Sequence, residues 1–169
     1  TKPIQPAHLI ASVQMRVNRS RTLRSYMVRD SLTGLYNHTK TKELLDLELS
    51  RASRTSSQVV FAMIDIDNFK VVNDTYGHPV GDYVIKNLSR LLKQRLRKID
   101  VVGRYGGEEF AVILSDITLD QAEMLMDDIR ERFSQLIQKS SATDFFATFS
   151  CGLAAFPDYK NVASLNEAA

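Results

Sequence analysis

Seven consecutive residues constrain this chain more than any others: Arg104-Tyr105-Gly106-Gly107-Glu108-Glu109-Phe110. Two adjacent glycines stand between Val101 to Tyr105 and a run from Glu109 to Leu114 that is apolar after its first residue, so the segment reads as a β-hairpin. Gly-Gly suits a two-residue primed turn, in which both positions take positive φ without a Cβ clash. A tight hairpin requires an antiparallel pair, which excludes an all-parallel sheet. It also sets two carboxylates at a tip, where they can hold a metal against a phosphate.

The rest of the chain fits one domain with a real core. Its 169 residues are 44% apolar and 25% charged with a net charge of +2, a balance that asks for no strongly acidic partner and no nucleic acid. Cys151 is the single cysteine and cannot form an internal disulfide, which points to the cytoplasm as the expected location. No apolar run reaches about 18 residues, so no membrane span is expected. Residues 1–29 carry Lys2, Arg16, Arg19, Arg21, Arg24 and Arg29 and no acid. They read as a basic connector helix from an upstream domain, with contact to an anionic membrane surface as the other reading.

From residue 30 onward, helices and strands alternate. Thr39 to Ser53 is helical with an apolar side of Leu44, Leu45, Leu47 and Leu49, and Val59 to Asp65 is a buried strand ending in acids. Asp82 to Arg97 is a helix with Val84, Ile85, Leu88, Leu91, Leu92 and Leu96 on one stripe. Thr118 and Gln121 form a capping box for a further helix carrying Ala122, Leu125, Ile129, Phe133 and Leu136. Phe145 to Phe156 supplies a last strand region, interrupted by Gly152. The expected fold is α/β (α+β), a central, mainly antiparallel sheet flanked by helices.

Asp65-Ile66-Asp67 ends one strand, and Glu108-Glu109 follows the hairpin tip. Neighbouring strands would bring these acids together, and a divalent cation would relieve their repulsion. Mg²⁺ suits one or two carboxylates completed by water and substrate phosphates. An EF-hand is a poorer reading, because Phe69 and Lys70 stand where that loop wants Asp or Asn and Gly. In the segment that follows, Lys70 can act as a point charge on phosphate. Asn73 and Asp82 have the donors and acceptors to read guanine. The blander reading makes Asn73 and Asp74 turn residues and Asp82 a helix N-cap.

Gly106-Gly107-Glu108-Glu109-Phe110 resembles the signature of GGDEF domains, the diguanylate cyclases, in the GGEEF form. Asp30-Ser31-Leu32-Thr33-Gly34-Leu35-Tyr36-Asn37 is similar to the family's opening turn, and Asp65 to Asp82 matches its second motif in order and spacing. The resemblance covers 30–169. It implies a resemblance to the nucleotide cyclase and polymerase palm, and condensation of two GTP into cyclic di-GMP and pyrophosphate across a homodimer. It further implies that Asp65, Glu108 and the Ile66 carbonyl hold Mg²⁺, with Mn²⁺ as an alternative, and that Glu109 is a second-metal ligand or base-side acid. Asn73, Asp82 and Leu32 would take guanine, Phe69 and Lys70 the phosphates, and Gly106 and Gly107 would permit close approach. Catalytic roles thus fall to Glu108, Glu109 and Lys70.

Arg97-Lys98-Ile99-Asp100 looks like the family's RxxD product-inhibition site. The family's further arginine from the next helix falls on Asp128, with Arg130 two residues on, and Arg51 matches the arginine that a partner subunit contributes. Two departures accompany the likeness: His38 where the family has arginine, and a chain that stops before the last helix with its lysine and arginine for the triphosphate. An upstream sensor, through which the full-length protein would reach a membrane, is implied. The alternative function is a catalytically silent domain that binds cyclic di-GMP or GTP. A simple GTP hydrolase is a third reading.

Overall fold

The computed structural model describes residues 28–140, 143–158 and 167. The expected connector helix therefore lies outside the described residues except for Val28 and Arg29, as does most of the C-terminal end. Among the described residues eight elements follow in order: α1 (His38–Thr55), β1 (Val59–Ile66), α2 (Phe69–Tyr76), α3 (His78–Arg95), β2 (Val101–Arg104), β3 (Glu109–Ser115), α4 (Leu119–Ser134) and β4 (Phe149–Phe156). The strands form one sheet in the order β2-β3-β1-β4, every pairing antiparallel.

β1 is central, which explains its composition. Val59, Val60, Phe61, Ala62 and Ile64 are fully buried, because helices cover both faces and a strand in that position alternates without a polar side. Val59 and Phe61 join Ala111 and Ile113 of β3 against Leu45, Leu49 and Ala52 of α1. On the other face Val60, Ala62 and Ile64 pack with Phe110 and Val112 against Val84, Ile85, Leu88 and Leu92 of α3 and Ala122, Met126, Ile129 and Phe133 of α4. The period of two along the strands thus separates a one-helix layer from a two-helix layer.

Capping fixes where the helices begin. Asn37 Oδ1 accepts from the Lys40 amide at 3.0 Å, and Thr118 with Gln121 forms the expected capping box. The structure corrects the sequence reading elsewhere. The stretch after β1 is a short helix, α2, and α3 starts at His78 with Gly77 as its cap. Asn73 is therefore helical rather than a turn residue, and Asp82 lies inside α3 rather than at its N-cap. Gly77 has φ 86°, a conformation that lets the chain reverse between the two helices without strain. β4 runs unbroken through Gly152, and Leu136 lies beyond α4 and is exposed.

The seam between α1 and the hairpin is closed by a glycine. A Cβ on Gly103 of β2 would overlap Thr41 Oγ1 and come to 3.0 Å from Thr41 Cβ, and Thr41 is itself buried with its hydroxyl donating to the Asn37 carbonyl at 2.8 Å. Gly103→Ala is expected to lower stability by about 1–3 kcal/mol through overpacking, read as a lower midpoint in urea denaturation with an unchanged slope.

Candidate functional site

The β1–β3 register decides which acids meet. Asp65 pairs with Glu109 across the sheet and with Ser150 on its other side. Alternation puts the three side chains on one face at the open end of the sheet. Asp65 is exposed at the strand end, but partial desolvation first, then the charges of Glu108, Glu109 and Asp67, push its carboxyl up from the ordinary value. Asp67 turns to β4, where its Oδ1 accepts from Ser150 Oγ at 2.6 Å and its amide donates to the Thr148 carbonyl at 3.0 Å.

The two glycines differ in role, and neither has the positive φ that a primed turn requires: among the described residues only Gly34 and Gly77 are positive-φ glycines. The connection is the four-residue loop 105–108 between β2 and β3. A Cβ on Gly106 would collide with Glu109 Oε2 and stand 3.0 Å from its Cδ, so the glycine lets the exposed Glu109 carboxylate fold over the loop, an arrangement that a larger residue would displace. Gly107 has open space around its Cα, and its carbonyl is the part that is used. Arg104 donates to that oxygen from Nε at 3.0 Å and Nη2 at 2.7 Å.

The same Arg104 reaches Asp30 through Nη1, at 3.3 Å to Oδ1 and 3.1 Å to Oδ2. Asp30 Oδ1 also accepts from the Thr33 amide at 2.9 Å and hydroxyl at 2.6 Å. Partial burial pushes the Asp30 carboxyl up, but the Thr33 hydroxyl and amide and the Arg104 charge outweigh it and hold it below its usual value. The opening turn and the hairpin tip are thus one hydrogen-bonded unit. Sequence reasoning missed Arg104 and Asp30 as site-forming residues. The Asp-x-x-Thr spacing signalled the local turn, but nothing signalled a partner 74 residues away. His38 finds a place here too, its ring edge-on to Tyr105 with centroids 4.2 Å apart.

After β1, α2 and α3 pack against each other. Gly81 is buried, and a Cβ on it would overlap Asn73 Oδ1 and lie 3.1 Å from Phe69 Cζ. Asn73, Phe69 and the segment leading to Asp82 are therefore in contact, and Asp82 itself is exposed. Lys70 is exposed in the first turn of α2, and Leu32 packs half-buried against the larger core cluster.

At the opposite end of β3, Asp100 is wholly buried as a side chain and accepts from the Arg97 amide, Nε and Nη2 at 2.8, 3.1 and 2.9 Å. Arg97 Nη2 donates to the Ser115 carbonyl at 2.8 Å. Arg51 binds Glu48 at 2.9 Å and lies 3.5 Å from Asp116, whose charge also acts on Arg97. Arg51, Arg97 and Asp100 therefore share one patch. Arg130 does not join it: it pairs with Asp127 and lines a groove against Cys151 and Leu153 of β4. It stands about 200° around α4 from Asp128, which faces α3.

A family model described as "Diguanylate cyclase, GGDEF domain" matches residues 27–169. The chain is 35% identical over 133 residues to the diguanylate cyclase DgcP of Pseudomonas aeruginosa, a match covering 79% of this chain and 20% of DgcP. It is 38% identical over 144 residues to the response regulator PleD of Caulobacter vibrioides, covering 79% of this chain and 32% of PleD. It spans a third or less of the length of these two curated relatives. Among solved structures, the coiled coil and GGDEF domain of DgcB from Caulobacter crescentus in complex with c-di-GMP superimposes with a TM-score of 0.89 at 27% identity, over 95% of this chain and 86% of that one. This chain belongs to the GGDEF domain family of diguanylate cyclases, and its antiparallel sheet with flanking helices is the fold of that family.

The acid end fits a small divalent cation. Among the described residues no group of three His, Cys, Asp or Glu side chains converges into a ready-made cage, and Mg²⁺ needs none, taking one or two carboxylates plus water and phosphate. The raised Asp65 carboxyl is the observation that favours a cation, since a positive charge there would relieve the repulsion from Glu108 and Glu109. Without one, the folded state holds a proton on Asp65 more tightly than the unfolded chain does, so its contribution to stability falls as pH rises above the ordinary carboxylate range. Asp65→Asn is therefore expected to melt higher than wild type at pH 7 in a chelator, with the gap closing as pH falls through the carboxylate range, as differential scanning calorimetry would show. Arg104→Ala is expected to lower turnover by about 10–100-fold while leaving the fold intact by circular dichroism, the size of loss that a misplaced catalytic group produces.

Proposed function

We propose that this chain condenses two GTP molecules into cyclic di-GMP, one nucleotide on each subunit of a homodimer. The observation that carries the reading is the antiparallel register that sets Asp65 opposite Glu109 at the open end of β1 and β3, close enough to Glu108 for its charge to act on Asp65. Each 3′-hydroxyl attacks the α-phosphorus of the opposing GTP. A new P–O bond forms, the bond from that phosphorus to the β-phosphate bridge breaks, and pyrophosphate leaves; the hydroxyl proton goes to Glu109 or solvent. Two such displacements close the ring.

Asp65, Glu108 and the Ile66 carbonyl would hold Mg²⁺, or Mn²⁺ in its place, with Glu109 beside them. Bound there, the cation would polarise the α-phosphoryl group and help deprotonate the attacking hydroxyl. The chain's own residues do the positioning. Asp82 accepts from the N1 and N2 donors of guanine while Asn73, set by its contact with Gly81, completes the base contact and Leu32 adds an apolar one. Phe69 and Lys70 lie along the phosphates, Lys70 as a point charge. Gly106 and Gly107 let the nucleotide approach the loop closely, and the Arg104 clamp holds that loop in one place. Positioning and charge neutralisation account for most of the rate effect in phosphoryl transfer.

Regulation fits the other end. Arg97, half-exposed and held by the buried Asp100 carboxylate, can donate to guanine and phosphate, with Arg51 beside it, so the product would bind about one strand length from where it is made. The DgcB structure carries c-di-GMP, which supports a dinucleotide as the ligand. The domain would act in the cytoplasm, under an upstream sensor.

Chromatography of the products after incubation with GTP and Mg²⁺ tests the whole reading. Cyclic di-GMP is expected from wild type, a loss of at least 100-fold in Glu108→Ala, and a higher final yield in Arg97→Ala. Bound GTP without product would instead identify a silent receptor, and GDP with free phosphate a hydrolase.

A further inference from the structure

α2 has a slight hold on the core. Of its eight residues only Val72 is buried, with Phe69 and Tyr76 packed half-buried against the larger cluster. Its last residue finds a partner from a distant part of the chain: the Tyr76 ring lies flat on the Phe145 ring, with centroids 4.3 Å apart and planes 5° from parallel. Phe145 is fixed in turn. It exchanges both backbone hydrogen bonds with Gln138, whose amide donates to the Phe145 carbonyl at 2.8 Å and whose carbonyl accepts from the Phe145 amide at 3.0 Å.

Gln138 and Asn87 of α3 are both buried. Asn87 Nδ2 donates to Gln138 Oε1 at 2.8 Å, Gln138 Nε2 donates to the Leu136 carbonyl at 3.2 Å, and Asn87 Oδ1 accepts from Arg90 Nη1 at 3.3 Å. Oxygen and nitrogen of both amides are thus engaged within the protein, so the pair is a tie, and breaking it would strand a buried polar group. The contacts close a ring. Asn87 of α3 holds Gln138, Gln138 holds Phe145, Phe145 holds Tyr76 at the end of α2, and α2 returns to α3 where Asn73 meets Gly81. Asn73 stands three residues before Tyr76, just under one helical turn, whereas Lys70 stands six before it, more than a turn and a half.

We propose that Tyr76, Phe145 and Gln138 are positioning residues for base recognition: the bracket they form sets Asn73 of α2 against Asp82 of α3, and so sharpens the preference for guanine over a purine that lacks the 2-amino group. The inference rests on the reading of Asn73 and Asp82 as guanine contacts. Two side chains on different helices read one base edge only while the helices keep their spacing, and a shift of about 1 Å is enough to spoil it. Without the stack, α2 is left with one buried residue and the Gly77 joint, and Asn73 gains freedom that must be given up when a base binds. Lys70 lies further from the bracket, so the loss falls first on the base and less on the phosphates.

Isothermal titration of the full chain with 3′-deoxy-GTP and 3′-deoxy-ITP in Mg²⁺ tests this. Both nucleotides lack the attacking hydroxyl, so binding is read without turnover, and the second also lacks the 2-amino group. Wild type should prefer the guanine nucleotide by about tenfold, because hypoxanthine loses the N2 donor to Asp82. Phe145→Ala should raise the Kd for 3′-deoxy-GTP about tenfold and that for 3′-deoxy-ITP about threefold, cutting the preference to about threefold. Phe145→Tyr keeps the flat ring and should match wild type within about twofold. Phe145→Leu keeps an apolar contact without the stack; it should fall between, and it carries the same test if the alanine variant does not fold. Unchanged binding of both nucleotides in the alanine and leucine variants, or equal weakening of both with the preference intact, would overturn the inference, the second result marking a merely structural role. A wild type that does not distinguish the two nucleotides, or an Asp82→Ala variant that binds them as wild type does, would overturn the guanine reading and this inference together.

Discussion

The antiparallel register of β1 against β3 places Asp65 opposite Glu109, and the rest of the structure can be understood as what makes that confrontation tolerable. Like charges directly opposite each other in a sheet are destabilising. The pairing survives because the six preceding register pairs, from Val59↔Ser115 to Ile64↔Phe110, are almost wholly apolar and buried between helices. A slip of one residue would turn every one of those side chains to the wrong face. The core therefore enforces a local arrangement that its own electrostatics oppose, which is how an acid-rich end is held in place on a stable scaffold.

Support around the acids comes from backbone and from glycine rather than from further charge. Arg104 grips the Gly107 carbonyl and the Asp30 carboxylate at once, so the loop is located from below by α1's entry turn. Gly106 gives room to Glu109, and Gly81 gives room to Asn73. In both places the missing Cβ admits a polar side chain, which is a steric use of glycine and not a conformational one.

That distinction marks where the sequence was legible. Periodicity located β1, β3, α1 and α4 closely, because each has an apolar pattern that burial alone dictates, and the hairpin followed from two glycines between two such runs. The turn type did not follow, since Gly-Gly permits positive φ without requiring it. α2 was missed because Phe69–Tyr76 is short and buries only Val72, too little to produce a stripe. At the site, Asp65, Glu108 and Glu109 were readable as acids near strand ends, and the pairing of Asp65 with Glu109 followed once antiparallel pairing was granted. The Asp30–Arg104 clamp was not readable, because neither residue has a local signal for a partner so far along the chain. Where Arg130 sits was not readable for a related reason: two residues of helix carry a side chain from the side of Asp128, which meets α3, to the opposite face, and counting along the sequence does not show which face that is.

β3 begins at Glu109 among the acids and ends at Ser115, whose carbonyl takes a hydrogen bond from Arg97. Seven residues of extended chain span about 20 Å at roughly 3.4 Å per step. Such a strand, paired on both edges, is a stiff spacer and a poor signal wire: it can slide only by whole register steps, each of which would dismantle the core. The Ser115 end is thus mechanically decoupled from the acids at the other, and a ligand bound there would act on the orientation of the whole domain rather than on the geometry of the acids. Where a reaction needs two half-sites to face each other, holding them apart is sufficient to stop it, and each half-site can stay chemically intact throughout.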